Sequence, residues 1–397
     1  MKVLVCIPCL LTGGTEIQTL NLVRALVEGG HEVVTACYFE HSEYMIGQYR
    51  VAGSKVVSFS ENGQRIGGVK GILFLWRHLR KLVNEFRPDV AHVQYMAPGA
   101  QPIIILKLLG VKKILATTHT AADIYPNLKL IHFLQKHCVD VWTCITERAE
   151  VSFFGSSKLY DKDTVLKKHE HVTIYNALSK NYKSTSQQVN KSTSVAEVES
   201  ERTIVIGVVS RLVEIKGMDL VVPTFAKVRE MHHDVRLIVV GDGLLKEMMM
   251  EQSRELGCEE AIEWTGRLAQ EELPEWYQRM DIVLMPSRSE GFGLTAIEAM
   301  DNGCVVVASN VGGLPEVVRD GEVGLLHRSE DIDDMAEKIC RLIDNPKMLD
   351  DMKGRVKEYV GRFSYERVRA VRDLRGDRQQ MRKHELSGKP RRSCLGP

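Results

Sequence analysis

The sequence predicts an α/β protein made of two facing Rossmann-like domains with a cleft between them. Three observations carry this expectation. Strand-like and helix-like segments alternate from the first residue, a polar stretch after Leu178 interrupts them, and the same alternation restarts at Thr203. A chain of 397 residues is also long enough for two ordinary domains. The expected division is residues 1–178, a linker over 179–201, a second domain over 202–366 and a tail over 367–397.

In the first half, "KVLVCIP" is a continuous apolar run, as a strand buried on both faces requires. A helix is expected from about Glu16 to Glu28, followed by the strands "HEVVTACY" and "SKVVSFS". A helix from Gly71 to Phe86, the strands "DVAHVQY" and "KKILATTH", and a last strand "HVTIYNAL" ending at Leu178 complete the half. The linker, "SKNYKSTSQQVNKSTSVAEVESE", is rich in Ser, Lys and Thr and lacks an apolar period. The second half runs "TIVIGVVS", a helix after Asp219, "VRLIVVGDG", a helix through Glu255, "IEWTGRL", "DIVLMPS", "CVVVASN" and "GLLHR". Parallel sheets bind ligands at the carboxyl ends of their strands, so two such halves share a cleft suited to two separate substrates.

Bulk composition narrows the function. A content of 44% hydrophobic and 26% charged residues is that of a globular protein, and a formal charge of +1 gives no reason to expect nucleic acid as a partner. The opening "MKVLVCIPCLLTGGTE" has an apolar run too short for a secretory signal or a membrane span, so a cytoplasmic location is expected. Nine scattered cysteines suit a reducing compartment. Cys6 and Cys9 have thioredoxin-like spacing, but Cys6 falls inside a strand and a glycine loop separates the pair from the next helix. No Cys/His grouping has zinc-ligand spacing, and no metal is expected.

The stretch "SEGFGLTAIEAMDNG" lies between the strand "DIVLMPS" and a helix closed at Gly303. Gly291 and Gly293 permit close backbone approach, and the N–H groups that begin the helix offer a seat for phosphate. Glu290 and Glu298 flank this turn; Glu298 is expected in the helix's first turn. Carboxylates accept hydrogen bonds from vicinal hydroxyls, so one is read on a ribose and the other on a sugar. The plainer alternative is a helix-dipole partner and a solvated loop residue. Arg211 and Lys216 in "SRLVEIKG" follow the first strand of the second half and can neutralise a diphosphate, each charge-assisted contact contributing about 1.5–3 kcal/mol. Gly13 and Gly14 in "LTGGTE" make a second backbone nest, without the lysine of a Walker loop or the third glycine of a dinucleotide fingerprint. His119 lies just past the strand "KKILATTH", where it can bond a substrate hydroxyl or simply pack. "GDGLLKEM" at Gly241 reads as an ordinary strand-to-helix connection. The helix "GILFLWRHLRKLVNEF" has an apolar stripe at Ile72, Leu75, Trp76, Leu79, Leu82, Val83 and Phe86. Lys70, Arg77, Arg80 and Lys81 crowd its other side, which can rest on an anionic membrane, although covering its own sheet is the favoured role.

Taken together, the two glutamates, the "SRL…KG" loop, the "GG.E" opening and the histidine resemble the retaining glycosyltransferases of family four, which have the GT-B architecture. The resemblance covers about residues 1–366 and is most specific from "LMPSRSEGFGL" through "GGLPEVVRDGEVGLL". It implies a metal-free transfer from a UDP- or GDP-sugar to a hydroxyl of a carbohydrate, lipid-linked sugar or small molecule, without a cofactor. On this resemblance Glu290 lies at the donor sugar with His119 near it, and Glu298 holds the nucleotide ribose. Arg211 and Lys216 meet the diphosphate, Gly291, Phe292, Gly293, Leu294 and Thr295 supply the phosphate-binding backbone, and Gly14 approaches the phosphates. Peripheral contact with the inner membrane surface is a further expectation. The chain departs from the pattern at Ala177, where glycine is usual, and in the basic tail after "FSYERVRA", where a helix returning to the first domain is expected. A nucleotide-sugar epimerase, and a nucleotide- or glycan-binding protein without turnover, are the competing readings.

Overall fold

The structure is a computed structural model that describes residues 1–96, 98–121, 125, 127–161, 166–179 and 203–366. Continuous Val/Ile/Leu runs become the central strands of two wholly parallel sheets. The first sheet contains β1 (Lys2–Ile7), β2 (Glu32–Cys37), β3 (Lys55–Ser58), β4 (Val90–Tyr95), β5 (Lys113–Thr118), β6 (Val141–Cys144) and β7 (Glu170–Thr173), in the order β3-β2-β1-β4-β5-β6-β7. It is covered by α1 (Gly14–Glu28), α2 (Glu43–Val51), α3 (Gly68–Phe86), α4 (Ala100–Leu108), α5 (Leu128–His137) and α6 (Glu147–Phe154).

The second sheet has β8 (Ile204–Val209), β9 (Val235–Val240), β10 (Ile262–Gly266), β11 (Ile282–Met285), β12 (Val305–Ser309) and β13 (Gly324–His327), in the order β10-β9-β8-β11-β12-β13. Its helices are α7 (Val221–Met231), α8 (Lys246–Glu255), α9 (Leu273–Tyr277), α10 (Leu294–Asp301), α11 (Leu314–Val317), α12 (Ile332–Ile343) and α13 (Pro346–Val360). The two-domain α/β expectation therefore holds.

Details differ where tertiary contacts override local pattern. α1 and α3 begin at Gly14 and Gly68, earlier than expected. The strand expected to reach Leu178 stops at Thr173, because the segment beyond it leaves the sheet to cross between domains. There the backbone of Ala177 is held by side chains of α1: its N–H donates to Gln18 Oε1 at 2.9 Å, and its carbonyl accepts from Gln18 Nε2 at 2.6 Å and Asn21 Nδ2 at 3.4 Å. Those bonds replace the sheet ladder and need no glycine. Ile72, placed in the buried stripe of α3, is 43% exposed, while Leu75, Leu79, Leu82, Val83 and Phe86 do face the core. Cys6 is fully buried in β1, and burial pushes the thiols of Cys6 and Cys9 up to about 12, the opposite of what a redox pair needs.

The domains are joined by an aromatic seam. Tyr175 and Phe292 each place a ring within 6.0 Å of Phe363 or of one another, and Phe363 is completely buried. The chain returns to the first domain after α13: Leu178 N–H donates to the Phe363 carbonyl at 2.9 Å, and Tyr365 O–H donates to Glu28 at 3.2 Å. The linker beyond Ser179 and the tail beyond Glu366 lie outside the described residues. Phe363→Ala should cost about 3–5 kcal/mol in unfolding free energy, measured by urea titration, because it empties a site shared by both domains. A loss below about 1 kcal/mol would mean that this seam is not a stabilising core.

Candidate active-site cleft

Each sheet reverses its strand order once, between β1 and β4 in the first and between β8 and β11 in the second. The carboxyl-end loops at such a reversal diverge and leave a crevice. Every sequence-predicted site residue lies on these loops, on the helices that follow them, or, in the case of His119, on the neighbouring β5 loop.

In the second domain the loop after β8 carries Arg211 and Lys216, and its path is set by backbone packing. Gly241 has φ +138°, and a Cβ there would lie 1.8 Å from the Ser210 carbonyl oxygen; one at Gly243 would lie 2.4 Å from that of Leu212. Leu212 N–H donates to the Asp242 carbonyl at 3.0 Å. "GDG" is thus not the ordinary connection expected but a buttress under the Arg211 loop. The loop then makes a 3-10 turn over Glu214–Lys216 and closes at Gly217, φ +67°, where a Cβ would sit 2.0 Å from the Pro286 carbonyl oxygen. Arg288 clamps the turn: its guanidinium donates to both Asp219 oxygens at 2.7 Å, to the Glu214 carbonyl at 2.6 Å and to Glu330 at 2.8 Å. The Arg288 bonds hold the Asp219 carboxyl below its ordinary range.

So positioned, Lys216 Nζ donates to Glu290 Oε2 at 2.6 Å. The two predicted cations are therefore not equivalent. Arg211 is exposed and makes no ion pair among the described residues, while Lys216 is already joined to a carboxylate. Glu290 is fixed through its own backbone: its carbonyl accepts from Gly313 N–H at 3.1 Å, and a Cβ on Gly312 would come within 1.8 Å of that oxygen. Gly293, φ +98°, immediately precedes α10, whose first-turn N–H groups have no side-chain cap. This end of α10 meets the first domain, for Leu294 lies 3.2 Å from where Gly14 would carry a Cβ.

Glu298 lies in the second turn of α10, not the first as expected, because the helix begins at Leu294. It accepts from Tyr277 O–H at 3.4 Å, and burial pushes its carboxyl up to about 7. Phe292 contributes only its backbone to the cleft, since its ring is part of the aromatic seam. Thr295 is partly exposed beside it. His119 is buried, with Nε2 at 2.8 Å from Gln94 Oε1, and its carbonyl lies 2.2 Å from where Gly291 would carry a Cβ. His119 and Gly291 thus bring the two domains into backbone contact.

Two carboxylates carry roles not assigned from the sequence, the first of them known only as the last letter of the "GG.E" opening. Glu16 follows the Gly13–Gly14 nest; it accepts from the Cys9 thiol at 3.3 Å, burial raises its pKa, and the charge of Arg211 across the cleft opposes that rise. Glu316 of α11 caps α6 in the other domain, accepting from Glu147 N–H at 2.8 Å and Arg148 N–H at 2.6 Å. "LPEV" signals a helix start, but nothing in it signals a partner so distant in the chain. In the first domain, a cavity of about 560 Å³ opens at the β1/β4 reversal, bordered by Thr15, Tyr95, Gln101, His119, Tyr125 and Asn127 among others.

Comparison with known proteins fits this geometry. The glycosyl transferases group 1 model matches residues 190–359, and the Glycosyltransferase Family 4 model matches residues 12–150. The chain belongs to the family 4, group 1 glycosyltransferases. D-inositol 3-phosphate glycosyltransferase of Corynebacterium aurimucosum is 36% identical to this family 4 chain over 169 residues, which are 41% of the chain and 40% of that relative. An uncharacterized glycosyltransferase of Methanocaldococcus jannaschii is 24% identical over 91% of the chain and 94% of its own length. In fold, the family 4 chain matches Anabaena HepE in complex with UDP at TM-score 0.73 and 19% identity, over 98% of the chain and all of HepE. A glycosyltransferase of Rickettsia africae matches at TM-score 0.74 and 16% identity, over 98% and 99%. The architecture is GT-B, as the resemblance implied.

The raised Glu298 pKa has a measurable consequence. The folded chain holds this proton up to about pH 7, whereas an unfolded glutamate releases it near 4.3. Its contribution to stability is therefore complete below the unfolded value and lost as pH rises through 7. Relative to the parent, Glu298→Gln should gain about 2–3 kcal/mol of unfolding free energy between pH 4.5 and pH 8.5. A pH-independent difference in chemical denaturation would show that this carboxyl titrates normally.

Proposed function

We propose that the chain moves a sugar from a nucleoside diphosphate donor to an acceptor hydroxyl with retention at the anomeric carbon. The observation that supports this most is the meeting, at one cleft, of the Glu290–Lys216 pair, exposed Arg211 and the uncapped start of α10 with His119 and Gly14 from the opposite domain. Glu290 holds hydroxyls of the donor sugar and Glu298 those of the ribose. As the bond from C1 to the diphosphate oxygen breaks, negative charge grows on the β-phosphate. Arg211, Lys216 and the α10 N–H groups stabilise it, and the acceptor hydroxyl attacks C1 from the same face, its proton passing to the departing phosphate oxygen. Because Lys216 touches Glu290 as well, it links the sugar-binding carboxylate to the leaving group. These fixed cations supply the charge that a metal would, so donor binding and turnover are proposed to need none.

The proposal extends to location. Among the described residues no helix is long and apolar enough to cross a membrane. On α3, Val69 is 73% and Leu73 62% exposed, beside exposed Lys70, Arg77, Arg80 and Lys81. We read this face as a peripheral contact with an anionic membrane on the cytoplasmic side, each basic residue adding about 1 kcal/mol near such a surface.

With saturating acceptor, varied donor and EDTA throughout, Glu290→Gln should depress kcat about 100-fold or more with little change in donor KM. Glu298→Ala should instead raise donor KM by about 10- to 100-fold, as a lost charge-assisted hydrogen bond predicts. A Glu298→Ala variant that kept its KM and lost kcat would sink the ribose assignment, and activity recovered only on adding Mg²⁺ would sink the metal-free one.

For the membrane face, the protein should co-sediment with phosphatidylglycerol vesicles and not with phosphatidylcholine vesicles. The triple change Arg77→Glu, Arg80→Glu, Lys81→Glu should release it; indifference to vesicle charge or to these changes would refute the contact.

A further inference from the structure

We infer that the cavity at the β1/β4 reversal is an acceptor subsite built for an uncharged sugar ring. This rests on the transfer reading and adds the chemical class of the acceptor. The first argument is position. Thr15 and His119 border the cavity, and their immediate surroundings border the donor side, through Gly14 against Leu294 and the His119 carbonyl against Gly291. A group held in the cavity is therefore next to the place where the donor's C1 would lie.

The second argument is the lining. Tyr95, Met96, Pro98, Tyr125, Leu130 and Ile131 supply apolar and aromatic surface. The rings of Tyr95 and Tyr125 are 5.4 Å apart and tilted by 39°, and Tyr125 O–H donates to the Tyr95 carbonyl at 3.0 Å. That bond anchors the Tyr125 ring as a fixed face, of the kind against which the C–H side of a pyranose packs. Among the described residues the polar members are the amides and hydroxyls of Gln101, Asn127, Thr15 and Thr120 and the imidazole of His119, whose Nε2 is 2.8 Å from Gln94 Oε1; no Lys, Arg, Asp or Glu is among them. Asn127 spends its oxygen on capping α5, accepting from Leu130 N–H at 2.9 Å, which leaves its NH₂ to donate. Amides and hydroxyls both give and receive hydrogen bonds, as ring hydroxyls require. The cations of the cleft, Arg211 and Lys216, belong to the opposite domain and to the donor phosphates. A phosphorylated acceptor would set a dianion against aromatic rings, amides and a single imidazole already tied to Gln94, with no Lys or Arg among the described lining residues to offset its desolvation. The volume of about 560 Å³ is within the range of small-molecule sites.

The test uses the full chain with UDP present and ligand-observed NMR. The probes are methyl glucoside, methyl galactoside and methyl mannoside, with inositol 3-phosphate and glucose 6-phosphate as the charged arm. At least one neutral glycoside should bind saturably and more tightly than either phosphate. Tyr125→Ala should weaken it about tenfold, the loss of one aromatic contact, while changing UDP affinity less than twofold. Gln101→Arg, a partly exposed change expected to leave folding intact, should shift preference toward the phosphates. Tighter binding of a phosphate by the parent chain, or a Tyr125→Ala variant that folds and keeps its glycoside affinity, overturns the inference. Failure of UDP and nucleotide sugars to bind at all would overturn the transfer reading and this inference with it; donor binding without any neutral-sugar binding overturns this inference alone.

Discussion

Close backbone contact at the domain seam is the constraint on which the cleft depends. Gly291 lies under the His119 carbonyl, Gly312 against that of Glu290, and Gly313 against that of Gly291, each at a distance no Cβ could occupy. Layers this thin let the loop after β11 pass between the first domain and the loop after β12. They place the start of α10 at the cleft without a side chain in front of it, and they hold Glu290 by its main chain, leaving its carboxylate to Lys216. A side chain at any of these positions would move the whole layer and separate groups that come from different domains.

The two domains contribute different chemistry. The second places charge with care: Arg288 grips the turn that presents Lys216, and Lys216 meets Glu290. Glu298 is the exception, a carboxyl in surroundings that favour its neutral form. Hydroxyl groups of a ligand would displace that unfavourable environment with hydrogen bonds, so binding and ionisation of this residue are coupled. The first domain offers aromatic rings, amides and a histidine tied to Gln94. On the proposed transfer, an asymmetry of this kind would separate recognition of a charged leaving group from recognition of a neutral partner.

Much of this was legible because it is local. Apolar runs and their spacing reveal the strands, and glycines in a strand-to-helix turn reveal the uncapped start of α10. The unread parts are those that join distant positions. Glu316 and the α6 amides it caps are 169 and 168 residues apart, and Gln18 holds Ala177 across 159. No periodicity encodes such pairs. The role of Gly241 was missed for the same reason: its need for glycine comes from Ser210, a neighbour only through the sheet. Glu298 was misplaced by one turn because the length of the loop before a helix is set by packing, and Phe292 proved to serve the seam with its ring and the cleft with its backbone.

The two passages of chain between domains lie side by side, since Leu178 on the outgoing path bonds Phe363 on the returning one. Two straps fastened along one line act as a hinge pin: they resist sliding and twisting and leave rotation about their common axis as the soft movement. Points near that axis travel little as the cleft opens, and Glu316 is among them, since its carbonyl accepts from the O–H of Tyr359, whose ring packs on Phe363. The carboxylate that caps α6 therefore fastens the pin itself, and tethers the first domain where the two can turn without drawing apart.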